Sequence, residues 1–555
     1  MDKKTSTKFN VLAILILIIL GVSLTPITFQ NDTFYTVKIG EHIVNTGEID
    51  GKDPFSWHSD LDYTYPHWLY DVINYYIYQL GGWTGIYITT MILACILAIS
   101  IYVTNVKLSK NHFISLLLTV GVMYFMKAYI TARAQLVTFI LFVLTIYLIE
   151  KFLEKRKLKY AIPLIIIPII IANIHLAVWP FYFVLYIPYI AEYIVCAVVD
   201  ADIILQLKIL WNRICIHIGK KSKREQHEEE IIEIKKKIER IKIKREANRA
   251  NPYKIKIERN KNIKYLVLIL LICFFTGLCT PLGTTPYTYL VDTMQGDSTS
   301  YINEHLPLVL FEKKDILCII GAIIAMIMLL NIKVKLRDLF FLGGLIILAL
   351  MSRRQVSMFL LIGVFVINRL INIFLDEYRG QEEMKQIAKF MTSCIGSILS
   401  VSLILLLGTK LVKPRIEAKD TFIDESTYPV AACDFILENV DLQNMRIYNE
   451  YNYGSYMLYR DIPVFIDSRA DLYTPEFNPG VDIFTDFINI SNISTYYENK
   501  FEEYKITHVI VYKNAKLNMF LSRDENYKKL YSDDHFVFYE RLSETQKVEE
   551  SNGEK

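Results

Sequence analysis

Apolar residues in this chain gather into long blocks separated by short polar stretches. The blocks fall at 9–29, 83–104, 112–128, 134–150, 158–174, 176–199, 264–280, 315–332, 338–351, 354–375 and 390–412. A helix crossing a bilayer core takes about 20 apolar residues. The pattern therefore predicts about eleven crossings, with one pair of the shorter blocks able to be re-entrant. Lys3, Lys4 and Lys8 precede the first block, as in a signal peptide, yet no small-residue cleavage site follows Thr25-Pro26. A retained anchor is expected.

After residue 412 the pattern changes. Short β-rich runs at 445–448, 464–467, 507–512 and 535–540 alternate with polar helical stretches at 428–439 and 514–531. That alternation predicts a small α/β domain over 413–555. Within 225–249, Ile231, Ile234, Ile238 and Ile241 recur at spacings of three and four among charged residues. Such a segment is a short amphipathic helix, suited to a partner helix or to anionic lipid headgroups.

Composition narrows the class. With 53% hydrophobic residues, 21% charged and a mean hydropathy of +0.28, a disordered chain, a collagen-like fibre and a purely soluble enzyme are excluded. The net charge of +3 gains meaning once it is located. Residues 208–264 hold 19 Lys and Arg against eight Glu and no Asp, a surplus of +11, so the rest of the chain carries −8. In a soluble protein this stretch would suggest nucleic acid; between membrane blocks it reads as a cytoplasmic loop, with no nucleic-acid partner. Starting the N-terminus inside places Lys107, Lys110, the cluster from Lys151 to Lys159, the +11 stretch and Lys333 to Arg337 inside, as the positive-inside rule asks. The expected organisation is a multi-pass plasma-membrane domain, 1–412. It carries a long outer loop at 30–82 and a basic cytoplasmic insert at 205–263. An extracytoplasmic domain, 413–555, follows. The eight cysteines show neither zinc nor disulfide spacing.

In that topology the ionisable residues near the membrane collect at outer helix ends. They are Asp32, Asp53 (KDPFSW), His67 (YPHWLYD), Arg133 (TARAQ), His175 (ANIHLAVW), Glu304 and His305 (YINEHLP), and Arg353 and Arg354 (SRRQ). Taken singly, each has an ordinary explanation. An Arg at a helix end is an interface anchor, a His at a turn is packing, and Asp32 is a helix N-cap. Their shared face suggests more, because ionisable groups at membrane depth are costly. Arginine forks match phosphate oxygens, and a nearby carboxylate can accept a hydroxyl proton or hold a divalent cation. Further on, Asp467, Arg469 and Asp471 in FIDSRADLY suggest an internal salt-bridge network, or a surface for acceptor recognition.

These features, with NDTFYTVKIGEHIVNTGEIDGKDPFSW, TPLGTTPY, RIYNEYNYGSYMLY and VFIDSRADLY, resemble bacterial membrane proteins of the GT-C glycosyltransferase type. That superfamily includes protein O-mannosyltransferases and oligosaccharyltransferase catalytic subunits. The resemblance implies a GT-C-like helical core and transfer of a sugar from a polyprenyl phosphate or pyrophosphate to an extracytoplasmic glycan, lipid or protein. It implies Asp32 as the catalytic carboxylate, with Asp53 the nearest second one. His67, Arg133, His175, Glu304, His305, Arg353 and Arg354 would bind substrate. A Mg or Mn ion at Asp32 is one option, although Asn31-Asp32-Thr33 lacks the family's commoner acidic pair. Two alternatives stand beside the enzyme: a transporter or flippase of lipid-linked saccharides, and a non-catalytic envelope-assembly protein with the same fold.

Overall fold

The computed structural model describes residues 3–218, 224–250, 252–295, 298–309, 313–417 and 422–542. The chain is mainly helical. Among the described residues, five helices are long and apolar enough to cross a membrane: Lys3–Leu24, Trp68–Ser109, Ala134–Lys155, Arg353–Glu377 and Cys394–Glu417. His112–Phe125, Leu158–Ile174 and Ile263–Leu278 are apolar but shorter. The block expected at 176–199 is broken into Trp179–Val184 and Ile187–Ala201, each with a proline in its first turn.

The first six helices run from residue 3 to residue 174. Helix α1 (Lys3–Leu24) stops before Pro26. Helix α2 (Asn31–Thr46) lies in the expected outer loop and ends at Gly47, whose φ of 76° lets its N–H bond to the carbonyl of Ile43. Helix α3 (Trp68–Ser109) is kinked at Gly82 (φ 57°, ψ −152°), which joins a polar-faced first part to the apolar block. Helices α2 and α3 touch backbone to backbone. A Cβ on Gly40 would sit 2.1 Å from the carbonyl oxygen of Asp71. Helices α4 (His112–Phe125), α5 (Ala134–Lys155) and α6 (Leu158–Ile174) complete the group.

At the opposite ends of these helices from Asp32 and Arg133, buried charges pair with one another. Glu150 meets Arg337 (3.3 Å) and Arg369 (3.5 Å), Arg369 meets Asp338 (2.5 Å), and Tyr189 donates to Glu150 (3.0 Å). Nearby, Asn368 donates to Asn105, Ser109 and Ser115.

The segment 422–542 contains a four-stranded sheet in the order Ile447–Tyr448, His508–Tyr512, Phe536–Arg541, Tyr527–Ser532; the first pair is parallel and the others antiparallel. Two sequence expectations fail locally. The stretch 514–531 is a short helix, Lys516–Leu521, followed by a strand rather than one long helix. Residues 464–467 do not join the sheet: Val464 makes an isolated parallel bridge with Ser56, and beyond it Phe465 N–H donates to Asn449 Oδ1 and Ile466 O accepts from Asn449 Nδ2, a side chain in place of a partner strand. This segment shares one apolar core with residues 30–82, including Phe34, Tyr65, Tyr456 and Phe465.

Candidate functional site

The 30–82 segment is fastened to the 422–542 segment by a buried ion triad. Arg469 reaches Asp53 Oδ1 with Nη1 (2.6 Å) and Asp467 Oδ2 with Nη2 (2.7 Å), and all three side chains have no exposure. Ser56 N–H donates to Asp53 Oδ2, and Tyr473 OH to Asp467 Oδ2. Burial alone would raise the Asp53 pKa, but the charge and hydrogen bond of Arg469 outweigh it and hold the carboxyl below its usual range. Asp53 therefore ties two segments together and does not line the cavity described next. This corrects its expected role as a second catalytic carboxylate. The network read from FIDSRADLY exists for Asp467 and Arg469; Asp471 lies apart from it.

Between the helix ends and the 422–542 segment is a cavity of about 670 Å³. It is lined by Asp32, His67, Arg133, His175, Glu304, His305 and Arg354, seven of the nine residues singled out in the sequence. Asp32 sits in the first turn of α2, where the helix dipole favours a carboxylate. The N-cap is Gln30, so the capping explanation for Asp32 does not hold. Arg133 occupies the N-cap position of α5 in extended backbone. It pairs with Asp32 Oδ2 at 2.7 Å and approaches Glu304 Oε1 at 3.7 Å.

Arg353 is turned away. Its guanidinium donates to the Pro307 carbonyl (3.3 Å) and to Asn303 Oδ1, bracing the loop that presents Glu304. The expectation that it binds substrate is corrected accordingly. Arg354 does line the cavity, and its amide bonds to Glu304 O at 2.9 Å. Among the described residues no carboxylate lies within ion-pair distance of its guanidinium.

His67 and His175 face each other with ring centroids 5.0 Å apart, and Thr138 Oγ1 lies 3.1 Å from His175 Nδ1. Burial, helped by Arg354 and Arg133, pushes His67 down to about 3. Burial, then His67 and the same arginines, takes His175 well below its ordinary value. Burial and Arg354 also lower His305. All three imidazoles are neutral at neutral pH. They can bind a ligand by hydrogen bonds but add no positive charge.

The chain matches no protein-family model and no curated relative.

Sequence reasoning missed Asp471 as part of this cavity. It accepts from Tyr289 OH at 2.6 Å and Thr293 Oγ1 at 3.4 Å, both on Oδ2. Burial raises its pKa; the two hydroxyl donors and then the charge of Arg354 only partly oppose that, and Glu476 adds slightly to the rise. Its proximity to TPLGTTPYTYLVDT could not be read from spacing, since Tyr289 and Asp471 are 182 residues apart. A Mg or Mn site at Asp32 does not fit this donor set. The cavity's Asp32 and Glu304 carboxylates are separated by a guanidinium, and among the described residues no three His, Cys, Asp or Glu side chains cluster as metal ligands.

Proposed function

We propose that this chain is a membrane glycosyltransferase moving a sugar from a polyprenyl phosphate or pyrophosphate to an extracytoplasmic acceptor. The observation that carries the reading is one cavity, of a size suited to a small-molecule site, that joins an arginine with no carboxylate in ion-pair distance among the described residues, neutral histidines and three differently held carboxylates, Asp32, Glu304 and Asp471. In this reading Arg354 takes the donor's phosphate oxygens as a charge-assisted fork, and His67 or His175 adds a neutral hydrogen bond. The acceptor hydroxyl attacks the anomeric carbon, forming a new C–O bond as the C–O bond to phosphate breaks. Its proton passes to a carboxylate, and the lipid phosphate leaves with its negative charge against Arg354.

Glu304 is the most open of the three, beside Arg133 at 3.7 Å, which leaves Asp32 and Asp471 to take that proton. Asp32 has Oδ2 engaged by Arg133, an arrangement suited to holding charge in place. Asp471, on two neutral hydroxyl donors and raised by burial, is the better matched base. The proposal includes a GT-C-like core of about eleven crossings, a cytoplasmic N-terminus, the plasma membrane as location and the 413–555 region outside. Membrane lipids, the lipid-linked donor and the envelope acceptor are its partners. The flippase alternative needs a polar path to both faces; the charges around Glu150 and Arg369 are paired with one another, which disfavours it.

The test is a transfer assay with labelled polyprenyl-phosphate sugars, comparing wild type with Asp32→Ala, Asp471→Asn and Arg354→Ala. Loss of transfer in the Arg354 variant and in either carboxylate variant is expected. Transfer unchanged in all three would refute the assignment of this cavity.

A further inference from the structure

The basic insert holds a helical hairpin whose apolar stripe was expected on its second helix. The structure assigns it to the first. Helix Ile203–Ile218 places Ile203, Ile204, Leu207, Trp211, Ile214 and Ile218 within about 100° of one another at 100° per residue. All six are exposed, Ile204 by 73%, Trp211 by 66% and Ile218 by 83%. The opposite side of this helix, with Ile209 and Asn212 buried, faces helix Arg224–Ala250. His227 Nδ1 lies 2.9 Å from Asn212 Oδ1, and Ile238 and Lys235 line the seam with Gln206 and Arg213. Ile231, Ile234, Ile238 and Ile241 of the second helix are thus half-buried against the first and are not available to a membrane or to another chain, while Ile232 and Ile243 stay exposed as isolated side chains outside that row.

The hairpin is held in a fixed relation to the membrane-facing helix before it. That helix, Ile187–Ala201, exposes Ile194 and Val198, and the chain breaks at Asp202 in left-handed conformation. Arg245 pairs with Asp202 and Arg249 with Asp200, each at 2.5 Å, so the second helix is clamped at that break. Lys235, Lys236, Lys237, Arg240, Lys242 and Lys244 remain exposed.

We infer that Ile203–Ile218 lies in the surface of an anionic phospholipid leaflet, its apolar stripe inserted and the lysines of Arg224–Ala250 near the headgroups. Two observations favour lipid over a protein occupant. The stripe continues, after a single residue, the exposed apolar surface of Ile187–Ala201, and the basic side chains complement anionic headgroups. A helix of this kind buries its apolar face ~5–10 Å into the headgroup and acyl boundary, which sets the depth of Trp211.

The test uses the full chain in lipid nanodiscs of phosphatidylcholine, with and without phosphatidylglycerol, with acyl chains brominated near the headgroup. The Trp211 signal is obtained by subtracting Trp211→Phe. Quenching of that signal by about half is expected, deeper with phosphatidylglycerol, and the phosphatidylglycerol effect should fall when Lys235, Lys236 and Lys237 become Gln. If Trp211→Phe does not fold, Ile214→Trp, compared with wild type, reports the same stripe. Emission unaffected by bromine overturns the inference, whether or not cross-linking through this face then joins two copies of the chain. Quenching equal in both lipid mixtures overturns the anionic preference.

Discussion

Replacing Arg469 with Met removes the cation between Asp53 and Asp467, both without side-chain exposure. The two carboxylates fare differently. Asp467 keeps Tyr473 OH at 2.6 Å and the Arg469 backbone N–H at 2.9 Å. Asp53 keeps, among the described residues, the Ser56 amide at 2.8 Å. Breaking a buried pair by removing one partner costs about 3–5 kcal/mol, and here the larger part falls on Asp53. Adding Asp53→Asn should restore roughly 1–2 kcal/mol of that by removing the stranded charge. For a cooperative unit of 150–250 residues, about 2–4 °C accompanies each kcal/mol, so the single variant should melt roughly 6–20 °C lower.

The readout is thiol accessibility during a thermal ramp in detergent. Cys433, fully buried in the core shared by residues 30–82 and the 422–542 segment, reports its opening. The 30–82 segment should also become sensitive to limited proteolysis in Arg469→Met. A melting point within two degrees of wild type, or a double variant no better than the single one, would refute the view that this triad fastens that segment. Because the folded Asp53 pKa is depressed, its contribution is present above the unfolded value near 3.9 and is lost as pH falls through the lower folded value.

Three other outcomes follow from the same geometry. Arg354→Gln should weaken binding of a short-chain polyprenyl phosphate about ten- to a hundredfold, the worth of charge-assisted hydrogen bonds, whereas Arg353→Gln should change it about twofold or less; equal losses measured by calorimetry would contradict the different settings of the two arginines. His67, depressed to about 3, takes up its proton more readily when unfolded, so stability should fall as pH drops below about 6.5; His67→Gln should flatten that melting-temperature slope, and an unchanged slope would speak against a buried neutral imidazole. Gly40→Ala would bring a Cβ to 2.1 Å from the Asp71 carbonyl, so α2 must separate from α3, and a loss of at least about 2 kcal/mol in the same thermal ramp is expected.

The sequence made some of this legible because membrane chemistry is strict. Apolar blocks announce helices, and costly ionisable residues stand out at their ends, which is why Asp32, Arg133, His175, Glu304 and Arg354 could be named together. Pairing was not legible. Asp53 and Arg469 are 416 residues apart, and nothing in KDPFSW distinguishes a catalytic carboxylate from one side of a buried ion pair. SRRQ gives two adjacent arginines, yet the short 3₁₀ turn Arg353–Gln355 aims one at the Pro307 loop and the other at the cavity. In the basic insert, period alone could not say which isoleucines meet a partner. Ile231 to Ile241 and the stripe from Ile203 to Ile218 have the same spacing, and only packing separates covered from open.

Partner supply also sets the cavity apart from the two buried ion networks. Around Glu150 and around Arg469 each buried ion has an opposite charge in contact, so the desolvation cost of burial is offset within the protein. In the cavity that balance is incomplete among the described residues. Asp32 shares Arg133 with Glu304, Arg354 has no carboxylate, and Asp471 rests on two hydroxyls. A half-buried guanidinium beside neutral histidines favours an incoming anion, which would supply the missing charge. A carboxylate raised by burial and held by neutral donors favours an incoming proton. An anionic leaving group and a hydroxyl that loses its proton would meet both needs together, and that complementarity links the cavity to glycosyl transfer more closely than its shape does.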